Sequence, residues 1–277
     1  MSRYLLCTDL DRTLIPNGAQ PESPGAREHF RQLVARDDVA LAYVSGRHRA
    51  LIMQAIADYD LPQPDYVIAD VGTSLYRTAR AEWQHWKAWD AAIVADWRGR
   101  THDDLVRLLQ GQAGLRLQET SKQALHKLSY YVALEVDATT LLRQVEQTLQ
   151  RYDVHAHLVW SVDEAAQVGL LDVLPASAGK LHAIEFLMAH EGYDRLDTLF
   201  AGDSGNDLDV LQSDIPAVLV ANAAPELKRQ VAHVHKAALI VARGGLLGMN
   251  GNYSAGILEG AAWHWPEIEA WLLREAA

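Results

Sequence analysis

Apolar residues in the first seventy positions gather into short unbroken runs separated by mixed segments. Tyr4 to Thr8, Val39 to Val44 and Tyr66 to Ala69 each read as a strand buried on both faces. A helix is predicted after the first run, capped by Ser23 with Pro24 at its first position and carrying Phe30, Leu33 and Val34. A second is predicted over about Ala50 to Tyr59, ended by Pro62 and Pro64. Strand and helix in alternation is the rhythm of a parallel sheet with helices on both faces. The pattern changes between about Thr78 and Pro175. Leu115 to Glu119, Lys127 to Val136, Val154 to Val162 and Val168 to Leu174 read as strands. Helices are predicted over Ala91 to Leu109 and Thr139 to Arg151, and the three-residue spacing of Trp83, Trp86 and Trp89 reads as one face of a helix. Paired strands interleaved with helices suggest an inserted α+β module. The parallel rhythm returns with a helix over Gly179 to Glu191, strands at Thr198 to Ala201, Ala217 to Ala221 and Ala238 to Ala242, and helices over Pro225 to Ala232 and Ser254 to Ala262. The expected fold class is therefore α/β: a Rossmann-like parallel-sheet core formed by residues 1–77 and 176–277, plus an inserted α+β cap over residues 78–175.

The chain has 277 residues, 49% of them hydrophobic and 22% charged, which is ordinary globular composition and enough for one large or two modest domains. The formal net charge of -11 argues against non-specific nucleic-acid binding, which needs phosphate-neutralising Lys and Arg. It does not exclude a small phosphorylated substrate, because a metal ion and local charge override the global field. The single cysteine, Cys7, lies inside the first apolar run and is expected in the core. No apolar run approaches the roughly 20 residues of a membrane span and no leader pattern opens the chain, so the expectation is a soluble cytoplasmic protein with no membrane partner.

The chemistry-bearing residues fall at the ends of predicted strands, where open α/β sheets bind ligands. Asp9 and Asp11 end the first strand. Burying two unpaired carboxylates is costly, and a divalent cation relieves the repulsion. Oxygen-only ligands suit Mg²⁺, which also binds substrate phosphates. One carboxylate can then attack phosphorus while the other moves protons. Ser45, with the backbone N–H groups that follow it, can donate to phosphate oxygens. Lys180 can neutralise the same oxygens and the nucleophile, which suits a transition state of spread negative charge. Asp203 adds a hard oxygen ligand, Asp207 can hold metal-bound water, and Asn206 can fix the Gly-rich turn. Arg47 either touches substrate or pairs with the carboxylates at the sheet edge.

The ordered set Asp9-Leu10-Asp11-Arg12-Thr13, Val44-Ser45-Gly46-Arg47, a lone Lys180 and Gly202-Asp203-Ser204-Gly205-Asn206-Asp207 resembles the haloacid dehalogenase superfamily of aspartate-nucleophile phosphohydrolases. Further stretches bring the chain close to the sucrose-phosphate phosphatase family over almost its full length. They include Pro64-Asp65-Tyr66, Val71-Gly72-Thr73, His85-Trp86, Lys127-Leu128-Ser129-Tyr130, Leu174-Pro175, Asn222 to Leu227 and Ser254 to Glu259. This resemblance implies a C2-type cap that closes over the site and sets substrate specificity. It implies hydrolysis of a sugar phosphate, foremost sucrose 6-phosphate, through an aspartyl-phosphate. Asp9 would be the nucleophile and Asp11 the acid/base. Mg²⁺ would be held by Asp9, the Asp11 backbone carbonyl and Asp203, with Asp207 close by. Thr13, Gly46, Arg47, Lys127, Ser129, Tyr130, Asn206 and Asn222 would contact substrate. Ser74 stands where the family commonly has an acidic residue able to grip sugar hydroxyls, and the Ala176 to Gly179 turn also departs from the family pattern. The alternatives are a phosphatase for a mannosyl- or glucosyl-glycerate phosphate and a sugar phosphomutase. The upstream sugar-phosphate synthase is a candidate partner.

Overall fold

The computed structural model describes residues 3–79, 82–163, 166–232 and 238–275. In chain order the first elements are β1 (Tyr4–Thr8), α1 (Ala26–Val34), β2 (Val39–Val44), α2 (Arg49–Asp58), β3 (Tyr66–Ala69), β4 (Ser74–Ala79), β5 (Glu82–His85) and α3 (Lys87–Ile93). There follow α4 (His102–Leu109), β6 (Arg116–Leu117), β7 (Leu128–Val132), α5 (Ala138–Arg151), β8 (Ala156–Asp163) and β9 (Val168–Pro175). The last are α6 (Lys180–Glu191), β10 (Thr198–Gly202), α7 (Leu208–Gln212), β11 (Ala217–Leu219), α8 (Pro225–Val231), β12 (Leu239–Val241), α9 (Ser254–His264) and α10 (Pro266–Glu275).

The strands form two sheets. The larger runs β12-β11-β10-β1-β2-β3-β4-β5, and the smaller runs β6-β7-β9-β8. From β12 to β3 the large sheet is parallel, while β4 and β5 add an antiparallel edge. All five residues of β1 are buried because both faces are covered. Tyr4 and Leu6 pack into a layer with Phe30 of α1, Ile257 of α9 and Ile268 of α10. Leu5 and Cys7 face the opposite layer with Ile184 of α6, Val210 of α7 and Leu227 of α8. The small sheet is antiparallel throughout. One of its faces carries Leu128, Tyr130, Val132, Leu171 and Val173 against Leu105 of α4 and Leu141, Val145 and Leu149 of α5.

Several expectations need correction. The sequence boundary at residue 78 falls inside β4, and the chain completes the β4–β5 hairpin of the large sheet before it leaves. Trp83 therefore lies on β5, not on a helix with Trp89. The segment Ala91 to Leu109 is not one helix. Arg98 adopts φ 52° and Gly99 φ 76°, which ends the first helical stretch, and α4 begins afresh after Thr101. Thr101 Oγ1 accepts from the Asp104 N–H at 3.2 Å, and Asp104 Oδ2 accepts from the Thr101 N–H at 2.8 Å, a reciprocal capping box. The first helix starts later than expected: Gly25 is its N-cap, and Ser23 Oγ accepts from the Asn250 N–H at 2.9 Å. Thr101→Ala should lower stability by about 1 kcal/mol, the usual worth of an N-cap side chain. Urea denaturation followed by circular dichroism measures it, and an unchanged midpoint would mean that the cap contributes nothing.

Candidate active site

The site lies at the carboxyl ends of β10, β1 and β2, three neighbours in the sheet. Chain connections from β1 run one way to β2, and β10 returns on the other side, so a crevice opens there. The Asp9 N–H still donates to Ala201 O at 2.9 Å, which extends the β1–β10 ladder by one residue. Asp9 is thus held at the strand end and is 4% exposed. The chain then turns. Arg12 adopts φ 60°, and the two aspartates of the motif part company.

Lys180, the first residue of α6, reaches back across the sheet. Its ammonium donates to Asp9 Oδ1 at 3.0 Å, Asn206 Oδ1 at 3.0 Å and Asp207 Oδ1 at 2.6 Å. That uses all three of its donors. Burial opposes the Lys180 charge, but Asp207 and Asp9 outweigh it and hold the ammonium above its ordinary range. Asp207 Oδ2 accepts from the N–H groups of Asp203 at 3.0 Å and Ser204 at 3.1 Å. Gly202 makes room for this carboxylate, since a Cβ there would lie 2.6 Å from Asp207 Oδ2. Asp203 Oδ1 accepts from Thr13 Oγ1 at 3.3 Å, and Arg12 Nε stands 3.4 Å from Oδ2.

Asp9, Asp203 and Asp207 bring carboxylate oxygens within 4.8 Å of one another. Burial pushes Asp9 up to about 7, against Lys180 and with help from Asp207 and Asp11. Burial likewise pushes Asp203 up to about 8, with the charges of Asp9 and Asp207 adding to it. Three buried carboxylates share one ammonium and one guanidinium, so the cluster holds excess negative charge. Hard oxygen donors with that imbalance fit Mg²⁺. Asp207 is the most fully engaged of the three, with Oδ1 accepting from Lys180 at 2.6 Å and Oδ2 from two backbone N–H groups.

The Asp11 side chain stands outside this cluster. It is clasped by Arg47, Nε to Oδ2 at 2.7 Å and Nη2 to Oδ1 at 2.6 Å, and by Asn17 Nδ2 at 2.7 Å. Burial would raise it, but the Arg47 hydrogen bonds and charge prevail and hold it below the usual carboxylate range. Arg47 thus takes the ion-pair role left open by its motif. Ser45 is buried, and its Oγ accepts from the Arg47 N–H at 3.2 Å, closing the turn after β2.

A cavity of about 780 Å³ joins these groups to the small sheet. Asp9, Asp11, Ser45, Gly46, Arg47, Asp203 and Asn206 border it on one side; Lys127, Ser129 and Asp172 border it on the other. Three residues expected to touch substrate are not on its wall. Tyr130 faces the opposite side of β7, inside the small core, because side chains alternate along a strand. Asn222 is a buried staple: its Nδ2 donates to Arg12 O at 2.6 Å and its Oδ1 accepts from the Tyr253 N–H at 2.8 Å. Thr13 is buried and its Oγ1 donates to Asp203 Oδ1. Ser74 opens β4 and is also absent from the wall. Sequence reasoning missed Asp172, which pairs across the strands with Ser129 and accepts from its hydroxyl. The signal was present, since Asp172 alternates with the buried Leu171 and Val173. It also missed Arg12, Asn17, Gln118 and Lys122, which line the same cavity.

The family described as sucrose-6F-phosphate phosphohydrolase matches residues 2–265. A Nitrosococcus oceani protein named as a HAD-like hydrolase is 50% identical over 274 residues, which is 98% of this chain and 74% of that one. The mannosylfructose-phosphate phosphatase of Agrobacterium fabrum is 30% identical over 224 residues, 80% of this chain and 85% of that one. The solved structure of the sucrose-phosphatase from Synechocystis sp. PCC6803, in complex with sucrose and phosphate, is 25% identical with a TM-score of 0.79, covering 95% of this chain and 98% of that one. Fold and site together define a phosphoric monoester hydrolase of the haloacid dehalogenase type that acts on sugar phosphates. Within that class the chain belongs to the sucrose-6F-phosphate phosphohydrolase family. Among the described residues no helix is long and apolar enough to cross a membrane.

The raised carboxyls carry a sign that can be tested. Asp9 and Asp203 bind protons more tightly folded than unfolded, so the metal-free protein loses stability as pH rises from the ordinary carboxylate range through about 7 and about 8. Lys180 stays charged throughout this window. Mg²⁺ bound to the ionised pair would offset the loss. Its rise in Tm should be larger at about pH 8.5 than at about pH 6. Equal rises at both would place Mg²⁺ elsewhere.

Proposed function

We propose that the protein hydrolyses sucrose 6-phosphate to sucrose and inorganic phosphate through an aspartyl-phosphate on Asp9. The observation that carries this reading is Asp9, buried against Lys180, at one end of a cavity whose other end presents Lys127, Ser129 and Asp172. An ester phosphate fits among the acidic cluster, the Ser45 turn and Lys180. A polyhydroxylated leaving group fits against the small sheet, where acceptors and donors alternate. The small sheet with α4 and α5 acts in this reading as the specificity cap.

Asp11 takes up a proton from solvent as it leaves the Arg47 clasp; an Asp9 oxygen attacks phosphorus, the bond from phosphorus to the sugar oxygen breaks, and Asp11 gives that oxygen its proton. Water then attacks the phosphorus of the aspartyl-phosphate, Asp11 takes its proton, and inorganic phosphate leaves with Asp9 restored. Lys180 keeps Asp9 aligned and neutralises phosphate charge. Asp9, Asp203 and the Asp11 carbonyl would hold Mg²⁺, which when bound would neutralise charge and keep Asp9 ionised. Asp11 must leave the Arg47 clasp to reach the leaving oxygen.

A second reading keeps the chemistry and changes the sugar to another phosphorylated glycoside. The similarity to the mannosylfructose-phosphate phosphatase favours it, as does Ser74 in place of an acidic residue. Phosphate release from sucrose 6-phosphate, mannosylfructose phosphate and glucosylglycerate phosphate, each with Mg²⁺ and with chelator, decides between them. Preference for sucrose 6-phosphate, lost in chelator, is the expected result. A stronger preference for another glycoside would move the substrate and keep the mechanism. Asp9→Asn should lower turnover by at least about 1,000-fold with the fold intact, since it removes the attacking charge and little volume. Near-normal phosphate release would refute the assigned nucleophile.

A further inference from the structure

The turn after β3 carries three consecutive residues with positive φ: Asp70 at 53°, Val71 at 60° and Gly72 at 95°. For β-branched Val71 this is a strained conformation, and such strain persists only where the surroundings impose it. The Asp70 N–H donates to Arg47 O at 3.0 Å, and the Val71 N–H donates to Ser45 O at 3.1 Å. Gly72 O accepts from Trp89 Nε1 at 3.1 Å. A Cβ on Gly72 would lie 2.2 Å from the carbonyl carbon of Gly179, the residue before Lys180. The turn therefore braces both the Ser45–Arg47 loop and the start of α6.

The Asp70 side chain serves neither purpose. It is 5% exposed, and its Oδ1 has no hydrogen-bond partner. The cation beside it is Lys127, with Nζ 3.5 Å from that oxygen. Lys127 is itself 5% exposed and enters β7 of the small sheet on the cavity wall, next to Ser129 and Asp172. A buried carboxylate oxygen with only this one long contact asks for an explanation. The pair is a direct charged link between the two sheets. Its large-sheet end is the strained turn that touches the Ser45 loop and Lys180, and its small-sheet end faces the cavity.

We propose that Asp70 is a positioning residue that couples sugar recognition by Lys127 to the phosphate-binding loop and Lys180. This rests on the reading that Lys127 faces the sugar of a phosphorylated glycoside. Asp70 fixes the ammonium so that its remaining N–H donors point to the ligand. A sugar that engages Lys127 also draws the small sheet onto the turn, and the turn holds the catalytic loops. Aspartate suits the position twice, since it tolerates left-handed backbone and brings the charge.

The test is steady-state kinetics of wild type, Asp70→Asn, Lys127→Met and the double variant on the preferred glycosyl phosphate, sucrose 6-phosphate by the reading above. Wild type and Asp70→Asn are also measured on p-nitrophenyl phosphate, an ester without sugar hydroxyls. Asparagine also tolerates left-handed backbone, so the turn and its N–H bonds persist. Each single variant should lose about 10- to 100-fold in kcat/KM on the sugar ester, and the double variant should lose no more than the worse single. Asp70→Asn should keep p-nitrophenyl phosphate turnover within about threefold, which also reports an intact fold. Equal loss on both esters would overturn the coupling and reduce Asp70 to a brace, while leaving the assigned chemistry standing. Additive losses, or no loss in Asp70→Asn, would overturn it as well.

Discussion

The Lys180 ammonium is the contact on which the rest of the site depends. One buried cation gathers Asp9 from the end of β1 and Asn206 and Asp207 from the turn after β10. Lys180, Asp9 and the Asn206–Asp207 turn lie on three different connections of the parallel sheet, so the fold must be complete before they meet. Removing the ammonium would leave two buried carboxylates facing each other, a situation that costs several kcal/mol in comparable buried pairs. Even with it present the balance is negative, because Asp203 adds a third carboxylate within 4.8 Å of the other two. Geometry and charge therefore both suit a divalent cation at this cluster, in which Asp207 also holds Lys180 and its own turn.

The second constraint is the polar face of the small sheet. Its apolar face is consumed by α4 and α5, which leaves Ser129 and Asp172 to look across at the ends of β1, β2 and β10. In the proposed reading, phosphate chemistry and leaving-group recognition are built on different sheets. They meet in one cavity and are linked directly by Lys127 and Asp70. The Asp11–Arg47 clasp borders the same cavity and holds the Asp11 carboxylate in a defined position.

Much of this was legible from residue patterns, for physical reasons. The parallel strands are buried on both faces, so β1, β2 and β10 appear as unbroken apolar runs, and strand-end motifs place Asp9, Ser45 and Asp203 automatically. The β4–β5 edge is half exposed and mixes Trp83 and His85 with polar residues, so it carried no such signal. The long helix over 91–109 failed at Arg98 and Gly99, where the chain turns left-handed and Thr101 recaps. On β7 the choice between Ser129 and Tyr130 was decided by strand parity, and parity depends on which face the helices cover. Asn222 reads as a candidate ligand in sequence, but its two hydrogen bonds are spent within the core. Asp70 has no local signature at all; its meaning comes from Lys127, fifty-seven residues later in the chain.

The most direct measurement is chemical trapping of the covalent intermediate. Wild-type protein is mixed rapidly with the preferred sugar phosphate and Mg²⁺, quenched during the first turnover, reduced with borohydride and digested for mass spectrometry. Borohydride reduces an aspartyl-phosphate to homoserine. The expected result is homoserine at position 9 and at no other aspartate. Homoserine at Asp11, Asp203 or Asp207 instead, or unmodified peptide throughout while phosphate is released, would contradict Asp9 as the nucleophile held by Lys180.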